Sequence, residues 1–239
     1  MLGPSHSLSG AAAWLAGTDI YLFTTGNHNI DIPVVILGTL ICSGAALAPD
    51  LDSYSATVST SLGIFGRIMY YIINTLSLLI YGLTRTRYDE PKDNGHRTLM
   101  HTFLMAIIAS GGGYLLFNLG NNVNVWGWKM TLGHLFVIIA LFLYTYLSFN
   151  GLFAEFTKKA RKRFSSYLVM LITLIMTIGV TLTLPANTNY TWLAFAIGVG
   201  WLTHLGGDFI TKMGDPLFAP IIKVKGHRWY GCGLPQGLR

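Results

Sequence analysis

The segment WLTHLGGDFITKMGDPLFAP, residues Trp201–Pro220, closes an apolar run with a histidine and a carboxylate. His204 and Asp208 are four residues apart, so on a helix they lie on one face. Inside a membrane or at its rim, such groups are costly unless a metal ion or an opposite charge is their partner. Three other segments place similar side chains beside an apolar run, namely at His6, at Asp50 and Asp52 in APDLD, and at His96 and His101 in HRTLMH. We therefore predict that the four segments form one polar site on one side of a helical membrane protein.

The composition is that of an integral membrane protein. Of the 239 residues, 52% are hydrophobic and only 11% are charged, whereas soluble domains have about 25% charged residues. Several runs approach the ~20 apolar residues that cross a bilayer as a helix. This argues against a soluble α-helical domain, and we expect residues 1–239 to form a single integral-membrane domain with a basic C-terminal tail over 211–239.

The basic character of the chain fits a membrane better than nucleic acid. The formal net charge is +6, and lysine and arginine on loops set topology and contact anionic headgroups. The run KKARKR at Lys158–Arg163 is interpreted as such an anchor and not as a nucleic-acid site. The expected partners are membrane lipids and an amphiphilic substrate, with no nucleic acid. Cys42 and Cys232 are far apart and give no support for a disulfide.

The apolar runs predict an all-α polytopic protein with about six transmembrane helices plus an interfacial or re-entrant helix. The six predicted spans are Ser7–Phe23, Ile32–Ala48, Leu99–Phe117, Thr131–Asn150, Ser165–Leu184 and Tyr190–Asp208. A further segment, Val58–Thr84, is apolar enough to span, but weakly polar residues recur in it at helical spacing. This stripe favours a helix in the interface or a re-entrant segment.

The positions of lysine and arginine favour a cytoplasmic N-terminus. If Val58–Thr84 does not cross, six spans place Asp50–Leu99, Gly151–Phe164 and Thr211–Arg239 on the cytoplasmic side, with five lysines and arginines each. Of the sixteen, only Lys129 falls outside these segments, as the positive-inside rule requires. We therefore predict an inner (plasma) membrane protein with both termini and the polar site on the cytoplasmic side.

The residues of this polar site are candidate metal ligands, namely His6, Asp50, Asp52, His96, His101, His204 and Asp208. Mixed imidazole and carboxylate ligands suit one or two divalent ions, with zinc first and manganese or iron as alternatives. Seven ligands exceed the need of one tetrahedral ion, and a two-metal site bridged by Asp50 or Asp52 would use them. His28 and His134 lie on the predicted outer side and are not expected to bind metal, and His227 is left undecided.

Two residues are candidate catalytic groups. Asp52 is a candidate general base, and Arg97 is a candidate phosphate or carboxylate contact through its charge and planar fork. Simpler interpretations exist for these parts in isolation: the aspartate pair can cap a turn, and Arg97 and Lys212 can be flanking positive residues. The convergence of four segments on one predicted face favours the metal site.

Four blocks, GPSHSLSGAAA, GAALAPDLDSYS, GHRTLMHT and HLGGDFITKMGDPLFAP, resemble the YdjM-like family of bacterial inner-membrane, metal-dependent hydrolases, over nearly the whole chain. The last block is the most specific, through Thr211, Gly214, Pro216 and Pro220. The resemblance implies that the seven candidate ligands are the polar centre of such a hydrolase. The run HRTLMHT departs from the HRGxTHS-like run of the family at Thr98 and Met100, while every candidate ligand is kept.

The sequence thus predicts a membrane-embedded, metal-dependent hydrolase that acts at the cytoplasmic face on a lipid or lipid-like phosphoester. An amphiphilic substrate suits this place because its tail stays in lipid while its headgroup reaches the metal. One alternative is a metal-ion or proton transporter, which requires polar residues at mid-membrane, where Asp19 is the only candidate. Another is a membrane protein in which the metal only holds the helices together.

Overall fold

The computed structural model is a helical bundle that describes residues 3–26, 31–125, 127–157, 162–183, 190–211 and 214–233, with the backbone alone at 154–157 and 162–166. The α-helices in these residues are α1 Gly3–Thr25, α2 Ile32–Ala45, α3 Thr57–Ser61, α4 Gly63–Thr84, α5 Phe103–Phe117, α6 Leu132–Thr157, α7 Lys162–Thr183 and α8 Thr191–Phe209. Short 3-10 turns cover Ala48–Asp52 and Leu99–His101. An antiparallel hairpin, β1 Asn122–Val125 and β2 Trp128–Thr131, joins α5 to α6.

Helix α2 is the centre of the bundle and packs against α1, α6 and α8. It begins after Asp31 with a proline in its first turn, where the missing N–H leaves no helical hydrogen bond unmade. The apolar core lies between α2, α6 and α8 and includes Leu37, Ile41, Val137, Leu193 and Ile197. Large apolar side chains on the outside are instead exposed, up to 89% at Phe23. This is the surface expected of helices that face lipid.

Within the described ranges, three helical segments are long and apolar enough to cross a membrane, namely Ile32–Asp52, Gly63–Thr84 and Leu132–Phe153. Two shorter apolar helices cover Phe103–Phe117 and Tyr167–Thr183. These lengths support the predicted class, a mostly helical membrane protein, but they do not establish six crossings. By length and composition, α4 is itself a candidate span.

The structure departs from the predicted spans most clearly in three places. The span predicted from Leu99 begins at Phe103, because Leu99–His101 form a 3-10 turn and the hydroxyl of Thr102 accepts the N–H of Met105 (3.2 Å) as a helix cap. The stretch between the third and fourth predicted spans contains most of the β1–β2 hairpin. Helix α6 continues past the predicted end at Asn150 to Thr157, and α7 begins at Lys162, before the predicted start at Ser165; residues 158–161 lie outside the described residues.

The ambiguous segment Val58–Thr84 is two helices, α3 and α4, which meet at Leu62. Gly63 has a φ of +59°, a conformation that glycine adopts without strain. The charged loop 85–98 then folds back along α4, where Asn74 Oδ1 accepts the N–H of Gly95 (2.7 Å). The hydroxyl of Tyr81 donates to the carbonyl of Glu90. The second half of α4 is therefore covered on one side by a polar loop.

The C-terminal segment 214–233 packs on this loop and on α4. The Trp229 ring lies 5.2 Å from the Tyr81 ring, and its Nε1 donates to Thr84 Oγ1 (3.1 Å). Asp89 accepts backbone N–H groups of Thr86 (2.6 Å) and Trp229 (2.9 Å). Burial alone raises the pKa of Asp89, but these hydrogen bonds outweigh it and lower the pKa. The tail predicted over 211–239 is thus a packed part of the fold where it is described.

Close approach of α8 to α2 requires a glycine at position 200. A Cβ added at Gly200 would overlap the carbonyl oxygen of Cys42 and lie 2.8 Å from the Ala45 Cβ. Both neighbours belong to α2, so the clash cannot be relieved by a side-chain rotation. Since His204 follows one turn later on α8, this contact also fixes the position of His204 along α2.

We expect Gly200→Ala to destabilise the protein by about 1–3 kcal/mol, because overpacking separates α8 from α2. The matched control is Gly111→Ala in α5, where an added Cβ meets nothing within 4 Å. There the change should be neutral or stabilise by up to about 1 kcal/mol through helix propensity. Thermal unfolding of both variants in detergent measures the difference. Equal stability of the two would contradict the close packing of α8 on α2.

Candidate metal centre

All seven predicted ligands meet at one end of the bundle. Helices α1 and α5 begin at this end and α2 and α8 end there, so segments distant in sequence come together. Five of the seven side chains are fully buried, with residue exposures of 0–2%: His6, Asp52, His101, His204 and Asp208. The side chains of Asp50 and His96 are 18% and 38% exposed and form the open side of the centre.

Two buried imidazoles face each other through their Nε2 atoms, 3.2 Å apart, on His101 and His204. The Nδ1 of His204 donates to the carbonyl of Ala46 (2.8 Å). The Nδ1 of His101 lies 3.2 Å from Asp52 Oδ2, although not in hydrogen-bond alignment. If both rings carry their proton on Nδ1, beside these acceptors, the two Nε2 lone pairs face one another; if one Nε2 is protonated, it donates to the other. Two facing lone pairs repel unless a cation or a proton lies between them.

Two carboxylates complete the surroundings of this histidine pair. Asp50 Oδ1 is 3.8 Å from each Nε2, and Asp208 Oδ2 is also 3.8 Å from each. Ligand atoms bound to a tetrahedral zinc ion at about 2.0–2.2 Å are roughly 3.3–3.6 Å apart. The four groups therefore stand close to the spacing of metal ligands.

Among the described residues, six of the predicted ligands fall into two triplets whose donor atoms lie within 4.8 Å of one another. One is His6, His204 and Asp208, and the other is Asp50, His96 and His101. In the first triplet, His6 Nε2 lies 3.3 Å from Asp208 Oδ1, and its ring stacks on His204 at 3.9 Å. Because the facing Nε2 atoms belong one to each triplet, the two sets adjoin. The prediction that these groups gather in one place is consistent with this geometry.

Asp52 lies behind the second triplet. Its Oδ1 is 2.8 Å from His96 Nδ1, and its Oδ2 is near His101 Nδ1. Asp50 and Asp52 are in a 3-10 turn, where residues two apart project about 120° from each other. Asp50 therefore faces the Nε2 atoms, while Asp52 faces the Nδ1 atoms. These contacts are those of a carboxylate that orients ligand histidines.

Arg97 is held inside the site by three contacts. Its Nη2 donates to Asp208 Oδ2 (2.9 Å), and its Nη1 donates to the carbonyl of Gly214 (3.3 Å) and to Thr211 Oγ1 (3.4 Å). Its φ of +53° is uncommon for a residue with a side chain and marks a locally strained backbone beside the centre. The phosphate contact predicted for Arg97 stays a prediction.

Asp215 is the residue of the site that sequence reasoning missed. It is fully buried, and neither carboxylate oxygen has a hydrogen-bond partner among the described residues. It forms a third set of donors within 4.8 Å with His101 and Asp208. Burial raises the pKa of Asp215 to about 6. The available signal was its position in the same quoted block as His204 and Asp208, but Gly-Asp-Pro is typical of a turn.

The remaining histidines are separate from the centre where they are described. His134 lies at the other end of α6, with its ring 5.6 Å from that of Tyr190. His227 Nδ1 lies 3.8 Å from Asp89 Oδ1, on the loop that covers α4. His28 and Lys212 lie outside the described residues.

Comparison with protein families matches residues 1–151 to the family described as YdjM inner membrane protein. The matched part contains His6, Asp50, Asp52, His96, Arg97 and His101, whereas His204, Asp208 and Asp215 follow it. No curated protein and no solved structure matched the chain. The block HLGGDFITKMGDPLFAP thus lies outside the matched residues. Its link to the other three blocks is the geometry of the centre.

We expect Zn²⁺ to raise the midpoint of thermal unfolding of the purified protein in detergent. A ligand that binds only the folded chain stabilises it by about 2.7 kcal/mol at 100 times its Kd. His204→Ala should remove most of this gain, because it deletes one of the two facing Nε2 atoms. His134→Ala, at the opposite end, is the matched control and should behave as the wild type.

Asp52→Asn provides an intermediate case in the same assay. Loss of a group that orients ligand histidines weakens metal binding by about 10–100-fold, without abolishing it. An equal Zn²⁺ effect on the wild type and on His204→Ala would contradict a metal centre at this place.

Proposed function

The chain belongs to the YdjM inner membrane protein family, and on that premise we propose that it is a membrane-embedded, metal-dependent hydrolase acting on a lipid or lipid-like phosphoester at the cytoplasmic face. The observation that carries the proposal is the pair of adjoining ligand triplets around the facing Nε2 atoms. Several buried carboxylates gathered beside imidazole nitrogens favour the binding of a cation there.

The donor set suits divalent ions that accept both nitrogen and oxygen, with zinc first and manganese or iron as alternatives. His6, His204 and Asp208 would hold one ion, and Asp50, His96 and His101 a second. Ions there supply Lewis acidity to a phosphoryl group and lower the pKa of a water molecule. Among the described residues Asp52 contacts the Nδ1 side of His96 and His101, so we assign it a positioning role and assign the role of general base to Asp50, itself a predicted ligand.

The proposed substrate enters past Asp50 and His96, because these are the partly exposed side chains of the centre. The carboxylate of Asp50 is thus placed both to meet the Nε2 atoms and to accept a proton from an attacking water. The buried base of the centre consists of His6, His101, His204 and Asp208. A headgroup entering from the open side therefore meets Asp50 first.

Arg97 is placed to receive an anionic headgroup. In the free protein its guanidinium neutralises Asp208 Oδ2. With Asp208 holding an ion, the planar fork of Arg97 would be available to bind a phosphate in a bidentate manner. The Arg97 side chain is 16% exposed, so it lies at the edge of the centre and not beneath it.

Helix α4 and the distribution of charges support the proposed membrane position of the centre. A crossing α4 would carry the charged loop 85–98 into the bilayer, because that loop packs on α4 from Asn74 onward. We therefore place α4 along the cytoplasmic surface and let α1, α2, α5, α6, α7 and α8 cross. Fifteen of the sixteen lysines and arginines then lie on the cytoplasmic side, together with both termini. Headgroups of the inner leaflet reach the centre at that surface.

Cysteine labelling with a membrane-impermeant thiol reagent on intact cells tests this topology. In a Cys232→Ser background, Ser55→Cys and Asn94→Cys flank α4 and should react only after the membrane is opened. Asn121→Cys, beside the hairpin at the far end, should react in intact cells. Reaction of Ser55→Cys and Asn94→Cys from opposite sides would mean that α4 crosses the membrane.

The hydrolase itself is tested with the purified, metal-loaded protein in lipid nanodiscs and phosphatidic acid and phosphatidylglycerol as substrates. We expect release of the phosphate or phosphate-ester product, its abolition by a chelator, and a loss of at least about 100-fold in His204→Ala and Asp208→Ala. His134→Ala is the matched control and should retain full turnover.

Two other outcomes would replace this proposal. Transport of Zn²⁺ or protons into liposomes without cleavage of either lipid would make the protein a transporter. Metal binding without cleavage or transport would make the ions a purely structural support of the bundle.

A further inference from the structure

The carboxylate of Asp215 is placed in the centre by a segment that is already well held through other atoms. The backbone of Asp215 exchanges two hydrogen bonds with Cys232 (3.0 and 2.7 Å). The carbonyl of Leu217 accepts the N–H of Phe103 (2.9 Å), and the Leu217 side chain packs in the core beside Met100 and Leu205. The side chain of Asp215 is therefore not needed to close the turn.

That side chain is nevertheless fully buried, with both oxygens lacking a hydrogen-bond donor among the described residues. A buried carboxylate without a donor is destabilising, since it loses water and gains nothing in return. An aspartate that only shapes a turn would accept a nearby N–H, as Asp89 does from Thr86 and Trp229. Asp215 instead stands within 4.8 Å of donor atoms of His101 and Asp208.

We propose that His101, Asp208 and Asp215 form a further cation position, which fastens the C-terminal segment 214–233 to the helices. The proposal deepens the metal centre proposed above, because His101 and Asp208 each belong to one of its triplets. With one nitrogen and two carboxylate donors, this position is richer in oxygen than the triplet of His6, His204 and Asp208. It therefore suits a harder divalent ion, of which manganese is the natural probe.

A cation at this position would tie the segment 214–233 to the helices, which a cation held only by the other ligands would not do. Every other ligand precedes or lies within α8, whereas Asp215 lies on the segment that covers the centre. The same segment supplies the carbonyl of Gly214 to Arg97 (3.3 Å). A bound cation thus holds the cover over the centre and, through Gly214, the guanidinium that meets the headgroup.

The test uses the full-length protein in nanodiscs, prepared without metal and then titrated with Mn²⁺. Electron paramagnetic resonance counts the Mn²⁺ ions bound per chain. Asp215→Asn should bind one ion fewer per chain than the wild type, or the weakest ion at least about 10-fold more weakly. Without metal, the same variant should unfold at a higher temperature than the wild type, because it loses a buried charge. Asp93→Asn, an exposed carboxylate of loop 85–98, is the matched control and should bind as the wild type.

A second measurement follows the C-terminal segment itself. Mn²⁺ should slow tryptic cleavage of the wild type after Lys223, Lys225 and Arg228, and should not slow it in Asp215→Asn. Equal Mn²⁺ counts and affinities in wild type and Asp215→Asn, or no protection of the wild-type segment, would overturn the proposal. Loss of an ion in Asp215→Asn by a protein that cleaves no lipid would uphold the cation position and reject the hydrolase. Lipid cleavage together with equal Mn²⁺ binding by the wild type and Asp215→Asn would uphold the hydrolase and reject the cation position.

Discussion

The structure depends on one electrostatic constraint, the meeting of the His101 and His204 Nε2 atoms amid buried carboxylates. Neither imidazole can turn away, because each Nδ1 faces an acceptor at the carbonyl of Ala46 or the carboxylate of Asp52. The helices that present these groups pack too closely to move apart, since glycine at position 200 puts α8 directly on α2. Steric packing thus imposes an arrangement that only positive charge makes favourable.

The aspartates make different contacts because the local backbone geometry directs them to different sides. Asp50 and Asp52 differ in role because a 3-10 turn directs them to different sides of the same histidines. Asp208 contacts both Arg97 and the facing histidines, so the charge of Arg97 is coupled to the charge within the histidine cluster. Position on the turn, and not residue type, decides which carboxylate faces the Nε2 atoms and which faces the Nδ1 atoms.

Much of this could be predicted from sequence, because apolar runs and the residues at their ends follow helical periods. The prediction that His6, Asp50, His96 and His204 gather rested on their places at the ends of apolar runs and on the positions of lysine and arginine. The distinct orientations of Asp50 and Asp52 could not be predicted, since hydropathy does not separate a 3-10 turn from an α-helix. The hairpin was missed although NVNV and WKMT both alternate, with Gly127 between them. Asp215 was missed because its contacts depend on how the chain returns after α8.

The distribution of the ligands along the chain has a consequence for biogenesis. His6 emerges from the ribosome first, but its partners on α8 are made near the end of synthesis. No portion of the chain that ends before α8 contains both members of the facing pair, so the proposed ion would have no complete set of ligands until α8 has been made. On the proposed function, metal would therefore be acquired late in maturation and would distinguish finished molecules from truncated ones.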